Sequence, residues 1–253
     1  MEKPSYIPPN YTHFMIIKFF NNKCYMDQFI SGRFYMNCLS YFWNIIEEHC
    51  GRSDIYEGTE ELLSSVNGVN YTFRITQSGE MVIFPIKGDI TEKSSSISEV
   101  ARGRGKNAEK KILSFYSLWL DFNRNTFLKI SPKLKKLGKY AAFIVNTPIF
   151  LSRIIDKAKL IRNEMNSDPV IGFVRYINKS NVSSRTKMNV MTKIEDGYIY
   201  QNEFRISFDM KNITGPYEDF IIKNDDICVP VLTEDLLRYK ILDIQGRIFS
   251  VSD

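Results

Sequence analysis

Residues 12–20, THFMIIKFF, form an almost unbroken apolar run and predict a strand. Residues 22–30 place Met26, Phe29 and Ile30 on one helical face, which predicts a short helix ended by Gly32. Residues 33–37 predict a second strand. Leu39, Phe42, Trp43 and Ile46 then recur at helical spacing, with Ser40 near the start, and predict an amphipathic helix that ends by Gly51. Tyr71, Phe73 and Ile75 alternate with polar residues, and residues 81–86 are expected to pair with them as a hairpin through Gln77-Ser78-Gly79. Residues 87–107, with Ser94-Ser95-Ser96 and Gly103-Arg104-Gly105, read as a mobile loop with one helical turn.

The second half has stronger punctuation. Residues 111–119 are apolar and aromatic and predict a strand, as do the buried residues 141–145. Thr147 is expected to cap a helix with Pro148 at its first position, and Phe150, Ile154, Ala158 and Ile161 give its inner face. Residues 170–177 predict another strand. Residues 198–209 predict a long one, with Phe204, Ile206 and Phe208 on one face and Gln201, Glu203, Arg205 and Ser207 on the other. The last forty residues alternate short strands with one short helix at 234–239. The pattern predicts an α+β fold of mostly antiparallel strands, with helices early and mid-chain. Residues 1–11, rich in proline, read as a short extended leader, and residues 12–253 as a single domain.

Composition narrows the class. The 253 residues are 43% hydrophobic, 25% charged and 13% aromatic, which suits a folded chain with a sizeable core. No run approaches the ~20 apolar residues of a membrane span, and residues 1–11 lack the apolar centre of a signal peptide. Cys24, Cys38, Cys50 and Cys228 have no CxxC spacing, and His13 and His49 are the two histidines. A zinc site and a histidine-based triad are therefore poorly supported, and the free thiols fit a reducing cytoplasm. The net charge of +5 is uneven: eleven Lys/Arg stand against Glu109 and Asp121 between residues 102 and 139. Such a segment can hold phosphates or nucleic acid, and a solvated lysine-rich face is its ordinary alternative.

Three groups of residues could carry chemistry. Gln201 and Glu203, two apart on a strand, would project side by side roughly 6–7 Å apart. An amide beside a carboxylate can bind a sugar hydroxyl and steady a nearby positive charge, and Arg205 could pair with Glu203 and keep it ionised. The alternative is an ordinary polar strand edge. Arg52-Ser53-Asp54-Ile55-Tyr56-Glu57-Gly58 could bind a cation or simply cap a helix. The early strand–helix–strand unit brings Lys18, Tyr35, Asn37 and Tyr41. Lys18 on an apolar strand is either an anion ligand or a lysine that snorkels from a sheet edge. There is no P-loop and no GxGxxG.

The ordered set GRFYMNCLSYF, RSDIYEG, KKILSFYSLWL, KYAAFIVNTPIFLSRIIDKA, VRY and GYIYQNEFRI resembles bacterial and phage-borne abortive-infection proteins of the AbiGi type, over roughly residues 12–209. That group is in turn similar to the ADP-ribosyltransferase fold, a split pair of antiparallel sheets with NAD in the cleft. The resemblance implies transfer of ADP-ribose from NAD to a protein or nucleic-acid acceptor. Gln201 and Glu203 would be catalytic: Glu203 would hold the ribose hydroxyl and stabilise oxocarbenium-like charge, and Gln201 would position the acceptor. Lys18, Tyr35, Asn37, Tyr41, Arg52, Asp54 and Arg205 would contact NAD, with His13 competing with Lys18 for the first-strand basic position. The second-strand Ser-Thr-Ser of the pattern is replaced by FYMN. The alternative implication is a catalytically inactive regulator, an antitoxin or immunity module that acts by binding a cognate toxin or other protein.

Overall fold

The computed structural model describes residues 1–39, 41, 61–64, 71–75, 81–85, 99–102, 109–121, 123–124, 126–177, 186–187, 189–194, 197–211, 216–237, 241–242 and 248–251. The chain runs β1 (His13–Phe20), α1 (Lys23–Ile30), β2 (Arg33–Cys38), β3 (Glu61–Ser64), β4 (Tyr71–Ile75), β5 (Met81–Pro85), β6 (Glu99–Arg102), β7 (Lys111–Asp121) and β8 (Thr126–Phe127). A 3-10 turn, Pro132–Leu137, leads to β9 (Tyr140–Ile144) and α2 (Thr147–Leu160). Then come β10 (Val170–Phe173), β11 (Arg175–Ile177), β12 (Thr186–Lys187), β13 (Thr192–Ile194), β14 (Glu203–Phe208), β15 (Tyr217–Ile221), β16 (Cys228–Leu232), α3 (Thr233–Leu236), β17 (Ile241–Leu242) and β18 (Ile248–Val251). The fold is α+β with a mostly antiparallel sheet.

Eleven strands form the main sheet, and β7 is its spine. On one edge β7 pairs β2 at Lys111–Ile112 and β1 at Tyr116–Leu120; on the other it pairs β14 at Lys111–Tyr116 and β8 at Leu120–Asp121. Beyond β1 lie β9 and β16, beyond β2 lies β15, and beyond β14 lies β10. The sheet therefore forks along β7. At the fork, among the described residues, positions 113–115 have no strand on the β1 side, and the Lys18 ammonium donates to the Ser114 carbonyl at 2.9 Å. A ladder carbonyl that would otherwise lose its partner is satisfied by a side chain.

A strand with neighbours on both edges and cores on both faces needs apolar residues at nearly every position, which is why β7 reads KILSFYSLWLD without alternation. Leu113 and Phe115 face a core built with Met26 and Phe29 of α1, Phe34 and Met36 of β2, and Phe150 and Ile154 of α2. Tyr116, Leu118 and Leu120 face a second core with Ile17, Phe127, Leu134, Phe143 and Leu236. Phe29 stacks on Phe34 at 4.6 Å between ring centroids, and Phe150 meets Phe115 edge-on at 5.5 Å.

Local expectations met tertiary context in several places. The Asn22 side chain caps α1 by accepting from the Cys24 N–H at 2.8 Å. Asn146, not Thr147, caps α2, accepting from the Ile149 N–H at 3.1 Å. The expected strand over 170–177 is two strands, because the chain leaves β14 at Val174 and continues in parallel pairing with β13. The hairpin of β4 with β5 is present. Within the expected 87–107 loop, Glu99–Arg102 is a strand paired with β3. Of the expected 39–50 helix only Leu39 and Tyr41 are among the described residues. Residues 1–11 are turned rather than extended: Ile7 and Tyr11 pack on Trp119, and the Lys3 ammonium donates to the carbonyls of Pro8, Pro9 and Tyr11.

Gly32 closes the α1–β2 corner at φ 95°, and a Cβ there would lie 1.7 Å from the Ile222 carbonyl oxygen. Gly197, at φ 78°, has nothing within 4 Å of such a Cβ. Gly197→Ala is therefore expected to cost the left-handed penalty alone, about 1–2 kcal/mol. Gly32→Ala should cost at least ~2 kcal/mol more in urea unfolding, because backbone must move. Equal losses would mean that the corner relaxes freely.

Candidate functional site

The site is built around the start of β14. Asn202 adopts φ 39°, a left-handed conformation that asparagine tolerates better than most residues. Its carbonyl accepts from the Ser117 N–H at 2.9 Å and the Ser117 hydroxyl at 2.6 Å. This kink separates β14 from the preceding 3-10 turn, Ile199–Gln201. The expected strand over 198–209 is therefore shorter, and Gln201 does not share a strand face with Glu203. Glu203, Arg205 and Ser207 do share one, opposite Tyr116, Ser114 and Ile112 of β7.

Gln201 and Glu203 are nonetheless brought together, by Lys193 of β13. Its ammonium donates at 3.1 Å to the Gln201 amide oxygen and at 3.1 Å to Glu203 Oε2, and it lies 5.0 Å from the centre of the Tyr198 ring. Arg205 donates to Glu203 Oε1 from Nε at 2.8 Å and Nη2 at 2.6 Å, while its Nη1 donates to the Val190 carbonyl at 2.6 Å. Both carboxylate oxygens of Glu203 are thus held by cations. Gln201, Glu203, Lys193 and Arg205 are all buried, Glu203 at 4% exposure and Arg205 at 1%. The expectation of a solvent-facing strand edge does not hold: β14 lies between β10 and β7.

Burial by itself pushes the Glu203 carboxyl up. The Arg205 and Lys193 charges, with hydrogen bonds from Ser114 and Arg205, outweigh it and hold the group down at about 2. The Tyr176 hydroxyl accepts from the Glu203 N–H at 3.1 Å; burial, then the Glu203 charge, raise its pKa well above the usual tyrosine range. Burial pushes Tyr116 up to about 12. The Tyr6 ring meets Tyr176 edge-on at 5.7 Å, and its buried hydroxyl has no hydrogen-bond partner among the described residues.

The other expected residues that the structure describes lie outside this cluster. Lys18 lies on the other face of the sheet, 5.4 Å from the centre of the Phe115 ring, and serves the fork. Tyr35 and Tyr41 are exposed. Asn37 stands opposite Ile112 in the short β2–β7 pairing. His13 is exposed and bonded to Thr12. Arg52 and Asp54 lie outside the described residues. Glu203, the carboxylate that the resemblance implies would take the ribose hydroxyl, is paired with both Arg205 and Lys193. Lys193 was missed by the sequence reading: a three-residue strand shows no periodicity, and only the fold carries it under Glu203. Among the described residues no group of three His, Cys, Asp or Glu could hold a metal ion.

No protein-family model matches this chain, and no curated protein and no solved structure matches it.

Glu203→Gln would leave Lys193 and Arg205 buried without their anion and is expected to cost about 3–5 kcal/mol in urea unfolding. The Glu203 carboxyl lies below its usual 4.5 when folded, so its stabilising contribution is complete above about pH 4.5 and is lost as pH falls toward 2. Wild-type stability should therefore fall between these values more steeply than that of Glu203→Gln; parallel curves would contradict the network. Tyr6→Phe removes a hydroxyl with no partner among the described residues and should leave stability unchanged or raise it by up to about 1 kcal/mol. A clear loss on unfolding would show that the hydroxyl has a partner.

Proposed function

We infer that the chain is a non-catalytic regulator of a phage-defence or toxin–antitoxin system, an antitoxin or immunity module that acts by binding a macromolecular partner. The placement in such a system rests on the ordered resemblance over residues 12–209. The non-catalytic reading rests on one observation: both oxygens of the Glu203 carboxylate are engaged by Arg205 and Lys193 in a buried network. A carboxylate stabilises developing positive charge only if its own charge is available to it. Here that charge is spent on two cations, and the residue works as a structural anion that ties β14 to β13.

One observation favours the other reading, an NAD-dependent ADP-ribosyltransferase. Gln201 and Glu203 converge on a single ammonium although the backbone kinks between them. An amide and a carboxylate meeting at one cation is the kind of pair that reading requires, once Lys193 withdraws. The fold of that family, a split antiparallel sheet, is part of the same proposal.

Purified wild type incubated with NAD and cell lysate, beside Glu203→Gln and Lys193→Met, separates the two. The regulator reading expects no NAD consumption above buffer by any of them and no labelled acceptor. NAD consumption by wild type overturns it, whether or not the variants fold. Consumption lost in a Glu203→Gln variant whose circular dichroism remains that of the folded wild type would assign the transferase.

A further inference from the structure

The basic segment noted in the sequence ends in a rigid, one-signed projection. Lys129, Lys133, Lys135, Lys136 and Lys139 are all exposed, and no acidic residue lies between positions 124 and 139. The nearest recorded carboxylate is Glu234, 3.5 Å from Lys135, with both side chains more than half exposed. Four of these lysines ride on or beside the 3-10 turn Pro132–Leu137. Three residues per turn divide that element into rows. The Leu134–Leu137 row faces the second core, with Leu134 fully buried. The Lys133–Lys136 row points away from it, with charges repeating at roughly 6 Å along the axis.

The turn is clamped at both ends. Ser131 Oγ accepts from the Lys133 N–H at 3.3 Å, and the Gly138 carbonyl accepts from the Thr233 hydroxyl at 2.7 Å. The Thr233 N–H donates to the Lys139 carbonyl at 3.0 Å. Two half-buried tyrosines lie near these lysines, Tyr200 against the second core and Tyr140 against the first, on the other face of the sheet. Lys133 Nζ stands 5.5 Å from the centre of the Tyr200 ring, and Lys139 Nζ 5.8 Å from that of Tyr140. The Lys133 ammonium can leave the Tyr200 ring for a phosphate, which frees a ring face for a base.

We propose that this lysine turn, with the Tyr200 ring beside Lys133, is a binding surface for single-stranded nucleic acid. A regularly charged phosphodiester chain fits repeating lysines, and a base fits the Tyr200 ring, whereas an acidic peptide would use the charges and leave the ring idle. The inference goes beyond the regulator reading and stands whether or not Glu203 handles NAD.

The test uses the full chain and a fluorescein-labelled single-stranded oligonucleotide, as RNA and as DNA, in anisotropy titrations between about 50 and about 200 mM salt. Wild type should bind, with affinity falling steeply as salt rises. The triple variant Lys133→Gln/Lys136→Gln/Lys139→Gln should bind at least ten-fold more weakly and lower the slope of log K against log salt by about 2. A charge-matched control, Lys159→Gln/Lys211→Gln/Lys223→Gln, carries its changes at exposed lysines elsewhere on the surface and should keep both slope and affinity. Circular dichroism melts check that both variants fold, which exposed lysines permit. No wild-type binding at low salt overturns the proposal. Equal weakening by both triple variants overturns it too, since only net charge would then matter. So does retention of a labelled poly-glutamate peptide in preference to the oligonucleotide.

Discussion

The structure depends on one strand serving four. β7 carries β1 and β2 on one edge and β14 and β8 on the other, so the hydrogen bonds of eleven residues organise most of the sheet. The partners on the first edge do not fill it. Where β1 and β2 diverge, α1 crosses between them, and Lys18 supplies the missing donor. A fork in a sheet exposes backbone groups to an apolar interior, and leaving a buried carbonyl unpaired costs about as much as a lost hydrogen bond. Lys18, which in the sequence could be either an anion ligand or a snorkelling lysine, makes this backbone contact at the fork.

The second constraint is the buried charge group of Glu203, Arg205 and Lys193. Taking charges out of water is expensive, and such groups persist when geometry and extra hydrogen bonds offset the penalty. Here Val190, Gln201, Ser114 and Tyr176 supply those contacts, from segments far apart in the chain. The network fixes how β13 and the turn before β14 sit on the sheet. Its cost is that the carboxylate faces protein on every recorded side. Lys133 of the clamped lysine turn lies 5.5 Å from the centre of the ring of Tyr200, the residue before Gln201.

Legibility from sequence followed how local the cause was. The helices α1 and α2 were readable because their apolar positions repeat at the helical period and polar caps precede them. β7 was readable as a strand from its apolar content, and β14 from the alternation of apolar and polar positions. The break at Asn202 was not, because an asparagine in the left-handed region is set by the Ser117 contacts it makes across the sheet. The split of 170–177 was hidden for the same reason: both halves favour extended backbone, and only the change of partner at Val174 separates them.

Composition and periodicity determined that this chain folds as an α+β protein, which residues line its cores, and that positive charge gathers in residues 102–139. Those properties follow from solvent preference and repeat length, which a sequence carries in full. The partners of the charged residues were decided by tertiary structure alone. Gln201 and Glu203 stood out as a pair, yet their meaning turned on Lys193, a residue with no local signature. Electrostatic roles depend on distances between segments that only folding brings together, and a few ångströms separate a free carboxylate from one locked between two cations.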